Sequence, residues 1–129
     1  MDNLPKSLLQ NLYWSFNETT YQEIGDFTEE VRKYNVEIGG SDTFKPNEIV
    51  LHISYCNILF EYYEGDEEKE ECIRIESLNK TDFTTAEMLF KIHNNLAAKD
   101  LGDHIFFEGL TLLTDKKGEI PTYALDLGS

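Results

Sequence analysis

Basic residues are scarce in this chain: eleven Lys and Arg stand against twenty-five Asp and Glu, for a net charge of -14 and a pI near 4.4. Affinity for a phosphate backbone is built from Lys and Arg contacts, so this balance argues against nucleic acid as a partner. It repels an anionic membrane surface in the same way. Proline and glycine are also few, three and eight, which leaves no composition for a linker or a low-complexity tract. Long apolar runs are missing, and none approaches the ~20 residues that a spanning helix needs. The opening Met-Asp-Asn-Leu-Pro-Lys-Ser lacks a basic stretch followed by an apolar one, so a cytoplasmic protein is expected. Cysteine is limited to Cys56 and Cys72, both in apolar, strand-like segments. Without a secretory signal they read as buried free thiols rather than a disulfide.

The chemical motifs are missing too. Neither cysteine has a Cys or His at metal-ligand spacing, and His93 and His104 are separated by a helix-to-strand joint that no zinc signature uses. There is no Gly-x-Ser-x-Gly elbow, and Gly39-Gly40 has neither the lysine nor the spacing of a phosphate loop. Residues 64–71 are acidic but lack the alternating ligand ladder of a calcium loop. No metal, no cofactor and no catalytic residue is expected, and an enzyme has no positive case.

What is present is a core. A 129-residue chain that is 40% hydrophobic, with eight Phe, seven Tyr and one Trp, supports one folded domain over residues 1–129. Leu4, Leu8, Leu9, Leu12 and Phe16 recur at helical spacing behind Asn3 and Pro5, predicting a short helix over 3–16. Thr20 and Glu23 form a Thr-x-x-Glu capping box for a second helix over 20–35, with Tyr21, Ile24, Phe27, Val31 and Tyr34 on one face. Gly39, Gly40, Ser41 and Asp42 open a loop. A third helix over 84–98 carries the same box at Thr84 and Glu87, with Leu89, Ile92, His93 and Leu96 on one face.

Strands fill the remainder. Ile49, Leu51, Ile53 and Tyr55 alternate, and then the apolar phase moves to Ile58, Phe60 and Tyr62. That slip predicts a hairpin turn near Cys56-Asn57, or else one long bulged strand. Residues 64–71 form an acidic strand-to-strand turn, after which Cys72 to Glu76 alternate again. The segment 99–113 is apolar on both faces and reads as the central strand, covered on both sides. A closing hairpin turns at Asp115, Lys116, Lys117 and Gly118, with Pro121 placing the last strand at an edge. The fold class is therefore α+β, a single domain with a largely antiparallel sheet of about five strands and three helices packed on it.

Two candidate sites emerge. The first is a partner-binding patch of Glu64, Asp66, Glu67, Glu68, Glu70 and Glu71 with Tyr62 and Tyr63 as aromatic anchors, flanked by Glu61 and Glu76. Carboxylates for Lys and Arg, together with flat rings, suit a basic protein partner. The opposing reading is a solvated turn whose charges keep sheet edges from pairing. The second is a small-molecule pocket around Asp103, His104, Phe106 and Glu108 with His93 nearby. In an extended strand His104 and Glu108 would stand roughly 13 Å apart, too far for one to orient the other. A non-catalytic subunit of a larger assembly is the remaining alternative, and the oligomeric state is left open.

The run Lys99-Asp-Leu-Gly-Asp-His-Ile-Phe-Phe-Glu-Gly-Leu110, with the closing Tyr123-Ala-Leu-Asp-Leu-Gly-Ser129, resembles the tail of small acidic bacterial proteins. Some of those are similar to the immunity proteins that accompany secreted polymorphic toxins. The likeness covers about the last 45 residues, from Thr84-Thr85-Ala86-Glu87 onward. It implies an inhibitor that neutralises a basic toxin, for instance a nuclease, by blocking its substrate site. Immunity proteins differ widely in fold, so the likeness transfers no binding residue.

Overall fold

The computed structural model of the chain describes residues 4–39, 44–114 and 120–129. The expected cap at Asn3, the loop at Gly40, Ser41 and Asp42, and the turn at Asp115 to Gly118 lie outside the described residues. The elements run β1 (Ser7–Leu8), α1 (Ile24–Gly39), β2 (Ile49–Leu51), β3 (Tyr55–Glu64), β4 (Glu67–Glu76), β5 (Phe83–Thr84), α2 (Thr85–Leu96), β6 (Phe106–Thr114) and β7 (Thr122–Gly128). Five strands form one sheet in the order β1-β6-β7-β3-β4, while β2 and β5 pair separately. All pairings are antiparallel except β3 with β7. The fold is α+β as expected, with two helices rather than three among the described residues.

The missing helix is the one expected over 3–16. Its apolar residues repeat every four, and four is a multiple of the strand period as well as close to a helical turn. Trp14 decides the matter: Leu12, Trp14 and Phe16 are buried while Tyr13 is exposed and Ser15 half-buried, a strand's period of two. The segment lies along β6, with Phe107 N–H donating to Trp14 O and Phe16 N–H to Ile105 O, both at 2.8 Å. On its other side the buried Asn35 of α1 takes Tyr13 N–H at 2.9 Å and gives its own amide to Tyr13 O at 2.8 Å. The backbone's polar groups are thereby satisfied without a helix.

A second asparagine explains why α1 starts at Ile24 rather than Thr20. Asn94 of α2 accepts from Tyr21 N–H at 3.0 Å and donates to Tyr21 O at 2.8 Å, holding that residue outside the helix. The first helical bond then runs from Phe27 N–H to Glu23 O. At α2 the sequence reading holds: Thr84 is extended and its hydroxyl accepts from Glu87 N–H at 3.2 Å. The Glu87 carboxylate does not close the box onto its own turn. It accepts from Leu78 N–H at 2.6 Å and ties down the β4–β5 connection.

The slip at Cys56-Asn57 is neither a hairpin nor a bulged strand. The chain changes sheets just before it, between Leu51 and Tyr55: β2 pairs with β5, and β3, which contains Cys56 and Asn57, joins the main sheet, so two separate strands account for the two phases. In β6 the two-faced apolar pattern is a one-faced pattern broken by a bulge. The register shifts between Phe107 and Leu110, at Gly109 with φ +112°. Phe107 faces the core before the shift and Leu110 after it, leaving Phe106 and Leu113 exposed. The strand is therefore covered on one side. The central strand is β7, and Pro121 sits just before its ladder, accepting from Asn57 N–H at 2.8 Å through its carbonyl. Tyr123 of β7 is fully buried and its hydroxyl donates to Pro5 O at 2.7 Å.

One apolar cluster joins the sheet's inner face to both helices and to the N-terminal segment. Among the described residues the outer face of the sheet carries no helix. Its middle row, set by the register Thr111↔Ala124, Leu59↔Ala124 and Leu59↔Cys72, is small and largely apolar. Cys72 is exposed there, contrary to expectation, whereas Cys56 faces the core and burial pushes its thiol up to about 12. Among the described residues no helix is long and apolar enough to cross a membrane.

Candidate functional site

The acidic segment is a hairpin rather than a long turn. Only Gly65 and Asp66 lie between Glu64 and Glu67, and Gly65 has φ +66°. A two-residue turn with glycine first matches the twist of the strands it joins. Residues 67–71 therefore belong to β4, and a strand sends alternate side chains to opposite faces. The expected patch is divided in two.

One half shares the helix side of the sheet. Tyr62 opposes Lys69, Phe60 opposes Glu71 and Glu64 opposes Glu67. Here cations balance the acids. Lys69 Nζ lies 3.0 Å from Glu67, and Lys99 Nζ lies 2.8 Å from Glu71 and 4.5 Å from the centre of the Tyr62 ring. The hydrogen bond that the Lys99 ammonium donates to Glu71 is the main reason that it holds its proton above the ordinary range. This half is a staple between β4 and the segment after α2.

The other half lies on the open outer face, where Tyr63 opposes Glu68 and Glu61 opposes Glu70. Among the described residues no lysine or arginine reaches ion-pair distance of Glu61, Glu68 or Glu70. The crowding has a chemical consequence. A hydrogen bond between the Glu61 and Glu68 side chains, together with desolvation and the like charges of Glu68 and Glu70, raises the Glu61 pKa, with His104 opposing the shift. Tyr62 and Tyr63 thus stand on opposite faces and cannot anchor one flat partner together. Farther along the outer face, the Arg74 guanidinium lies 4.2 Å from the centre of the Tyr55 ring and is paired with Glu76 at 3.3 Å.

The residues of the expected small-molecule pocket are scattered. His93 is fully buried, accepting at Nδ1 from Trp14 Nε1–H at 3.1 Å, with Nε2 2.7 Å from Thr19 O. Phe106 and Glu108 are on the outer face, Glu108 lying over Gly128. Asp103 and His104 lie in the turn before β6, where His104 Nε2 is 3.6 Å from Asp103 Oδ1. His104 instead meets the acidic hairpin, lining a recess of about 200 Å³ with Glu61, Tyr63, Glu68, Leu101, Leu125 and Leu127. Sequence reasoning kept His104 and Glu68 in separate candidate sites. It missed Leu101, Leu125 and Leu127, whose apolar spacing reads only as core. A larger groove of about 670 Å³ runs between Phe16 and Asn17 on one side and residues 96–102 on the other, and none of the expected pocket residues lines it.

Among the described residues no group of three or more His, Cys, Asp or Glu is placed to hold a metal ion. No protein family, no curated protein and no solved structure matches the chain.

Proposed function

We propose that this protein is an acidic, protein-binding inhibitor of the immunity type, which neutralises a basic toxin, such as a nuclease, by covering its substrate site. The observation that supports this most is the unbalanced outer face of the β3–β4 hairpin: Glu61, Glu68 and Glu70 beside Tyr63, on a sheet face that no helix covers. Carboxylates with no lysine or arginine at ion-pair distance among the described residues remain available to a partner's Lys and Arg, and an aromatic ring among them supplies contact area at low entropic cost. The net charge of -14 adds long-range attraction for a basic molecule and speeds the encounter. Of the patch expected from sequence, Glu68, Glu70 and Tyr63 carry the contact, joined by Glu61. Glu71 and Tyr62 hold the fold together instead.

The division between faces supplies the test. E61Q/E68Q/E70Q and E64Q/E67Q/E71Q remove the same charge from the outer and the inner face. Tagged protein is used to capture a basic partner from lysate of the source organism, across a salt series. The outer-face variant is expected to lose tenfold or more in affinity at low salt, roughly one charge-assisted contact's worth, while the inner-face variant keeps most of its binding. Equal losses would mean that net charge alone attracts the partner, and retention of no basic protein at low salt would refute the inhibitor reading.

A further inference from the structure

On the inhibitor reading, we infer that the recess at the end of β3 receives a single arginine side chain of the basic partner. The recess is a product of topology. β3 and β7 run parallel and pair only from Asn57↔Thr122 to Leu59↔Ala124. Beyond that point Tyr63 pairs with Asp100, its N–H donating to Asp100 O at 2.7 Å. Parallel strands that part at their carboxyl ends leave a crevice, a receptive place in open sheets. Gly102 lets the chain pass under Tyr63: its φ is +64°, and a Cβ there would meet the ring at 3.0 Å.

Size and lining select the occupant. At about 200 Å³ the recess falls below the ~300 Å³ at which pockets for drug-sized ligands begin, and it suits one side chain. Leu101, Leu125 and Leu127 offer apolar wall to methylene groups, Tyr63 offers a ring face, and Glu61 and Glu68 offer two carboxyl groups together. A flexible apolar stem with a planar fork of donors is arginine, which stacks on aromatic rings and binds carboxylates in pairs. The sheet already seats a guanidinium on a tyrosine of the same face, Arg74 on Tyr55. The proton that Glu61 holds above the ordinary range is the one a guanidinium would displace, so binding should weaken in acid. Glu68 and Glu70 from β4, Tyr63 from β3 and His104 from the turn before β6 all face it.

The test is an NMR titration with N-acetyl-arginine methylamide, with the citrulline analogue as a neutral control of the same shape. Saturable shifts are expected at Tyr63, Leu125 and Leu127, absent with citrulline and weakened about tenfold in E61Q/E68Q, whose remaining spectrum reports its fold. Shifts spread over the whole acidic surface, equal binding of citrulline, or an unaffected E61Q/E68Q would overturn the inference. Arginine binding at the recess with no basic partner captured would keep the recess as an arginine site but remove the inhibitor reading and the toxin as the arginine's source. Capture sensitive to the outer-face acids, with no shift at the recess, would do the reverse.

Discussion

His93 should make this protein lose stability as the pH falls through the range just below neutrality. Its ring is fully buried, with the rings of Trp14, Phe16, Tyr21 and Phe27 at 5.3–5.8 Å between centroids. Trp14 Nε1 can only donate, so Nδ1 must be the bare nitrogen, and Nε2–H donates to Thr19 O. The imidazole is therefore neutral, and a second proton would have to enter at Nδ1, against the indole N–H. Burial lowers the pKa below the ordinary 6.5, with the Thr19 carbonyl a smaller opposing influence. The unfolded chain takes up its proton near 6.5 and the folded protein only at lower pH, so between those values unfolding binds a proton. Stability contributed by the neutral ring is complete above about pH 6.5 and falls by up to about 1.4 kcal/mol per pH unit below it.

The assay is urea unfolding followed by the emission of Trp14, the sole tryptophan, between pH 5 and 8 for the wild type and H93Q. H93Q cannot titrate and leaves at least one of the two bonds unmade, so at pH 7.5 it should be less stable by about 1–3 kcal/mol. The gap between the two proteins should then narrow as the pH falls below 6.5. Glu61 acts in the opposite sense, since its raised pKa favours the folded state in acid and that advantage is lost as the pH rises from about 4.5. It is common to both proteins and cancels in the difference. Parallel stability curves, with a constant gap over the whole range, would refute the argument that His93 is buried neutral.

Two further substitutions test the frame that holds the outer face. Gly109→Ala places a Cβ at φ +112°, 3.2 Å from the Leu8 carbonyl and 2.6 Å from the Gln10 amide, so it should cost about 1–3 kcal/mol in urea unfolding; an unchanged midpoint would mean that β6 has no bulge there. Glu87→Ala should cost about 1–3 kcal/mol by stranding Leu78 N–H, more than the ~1 kcal/mol of Thr84→Ala at the cap; the reverse order would show the carboxylate to be a capping group only.

Legibility in the sequence followed whether a local pattern had one structural meaning. Thr84-x-x-Glu87 before an apolar face announced α2 almost to the residue, because the cap and the periodicity agree. The Leu4-Leu8-Leu12-Phe16 spacing had two meanings, and the choice was made by Asn35, a partner more than twenty residues away. The Thr20 box was overridden in the same way by Asn94, whose side-chain amide replaces for Tyr21 the bonds a helix would have made. A buried asparagine that grips a distant backbone leaves no periodic trace. The recess was hidden for a related reason. It joins two carboxylates of a hairpin to a turn and to the last strand, and nothing local in 61–68 indicates that Tyr63 pairs with Asp100.

The strongest competitor to a binding role is that β4, a ten-residue edge strand, is charged to prevent pairing with other chains. That purpose accounts for acids along the strand but is indifferent to which face they occupy, because the exposed edge is backbone. Near the hairpin the faces differ sharply. Glu67 and Glu71 on the helix side have Lys69 and Lys99, whereas among the described residues Glu61, Glu68 and Glu70 on the open side have no lysine or arginine at ion-pair distance and share their crowding through a raised Glu61 pKa. Moving one lysine across the strand would relieve that repulsion and protect the edge equally well. An unrelieved cluster on a sheet face that carries no helix among the described residues is what edge protection does not require and what the proposed binding role would use.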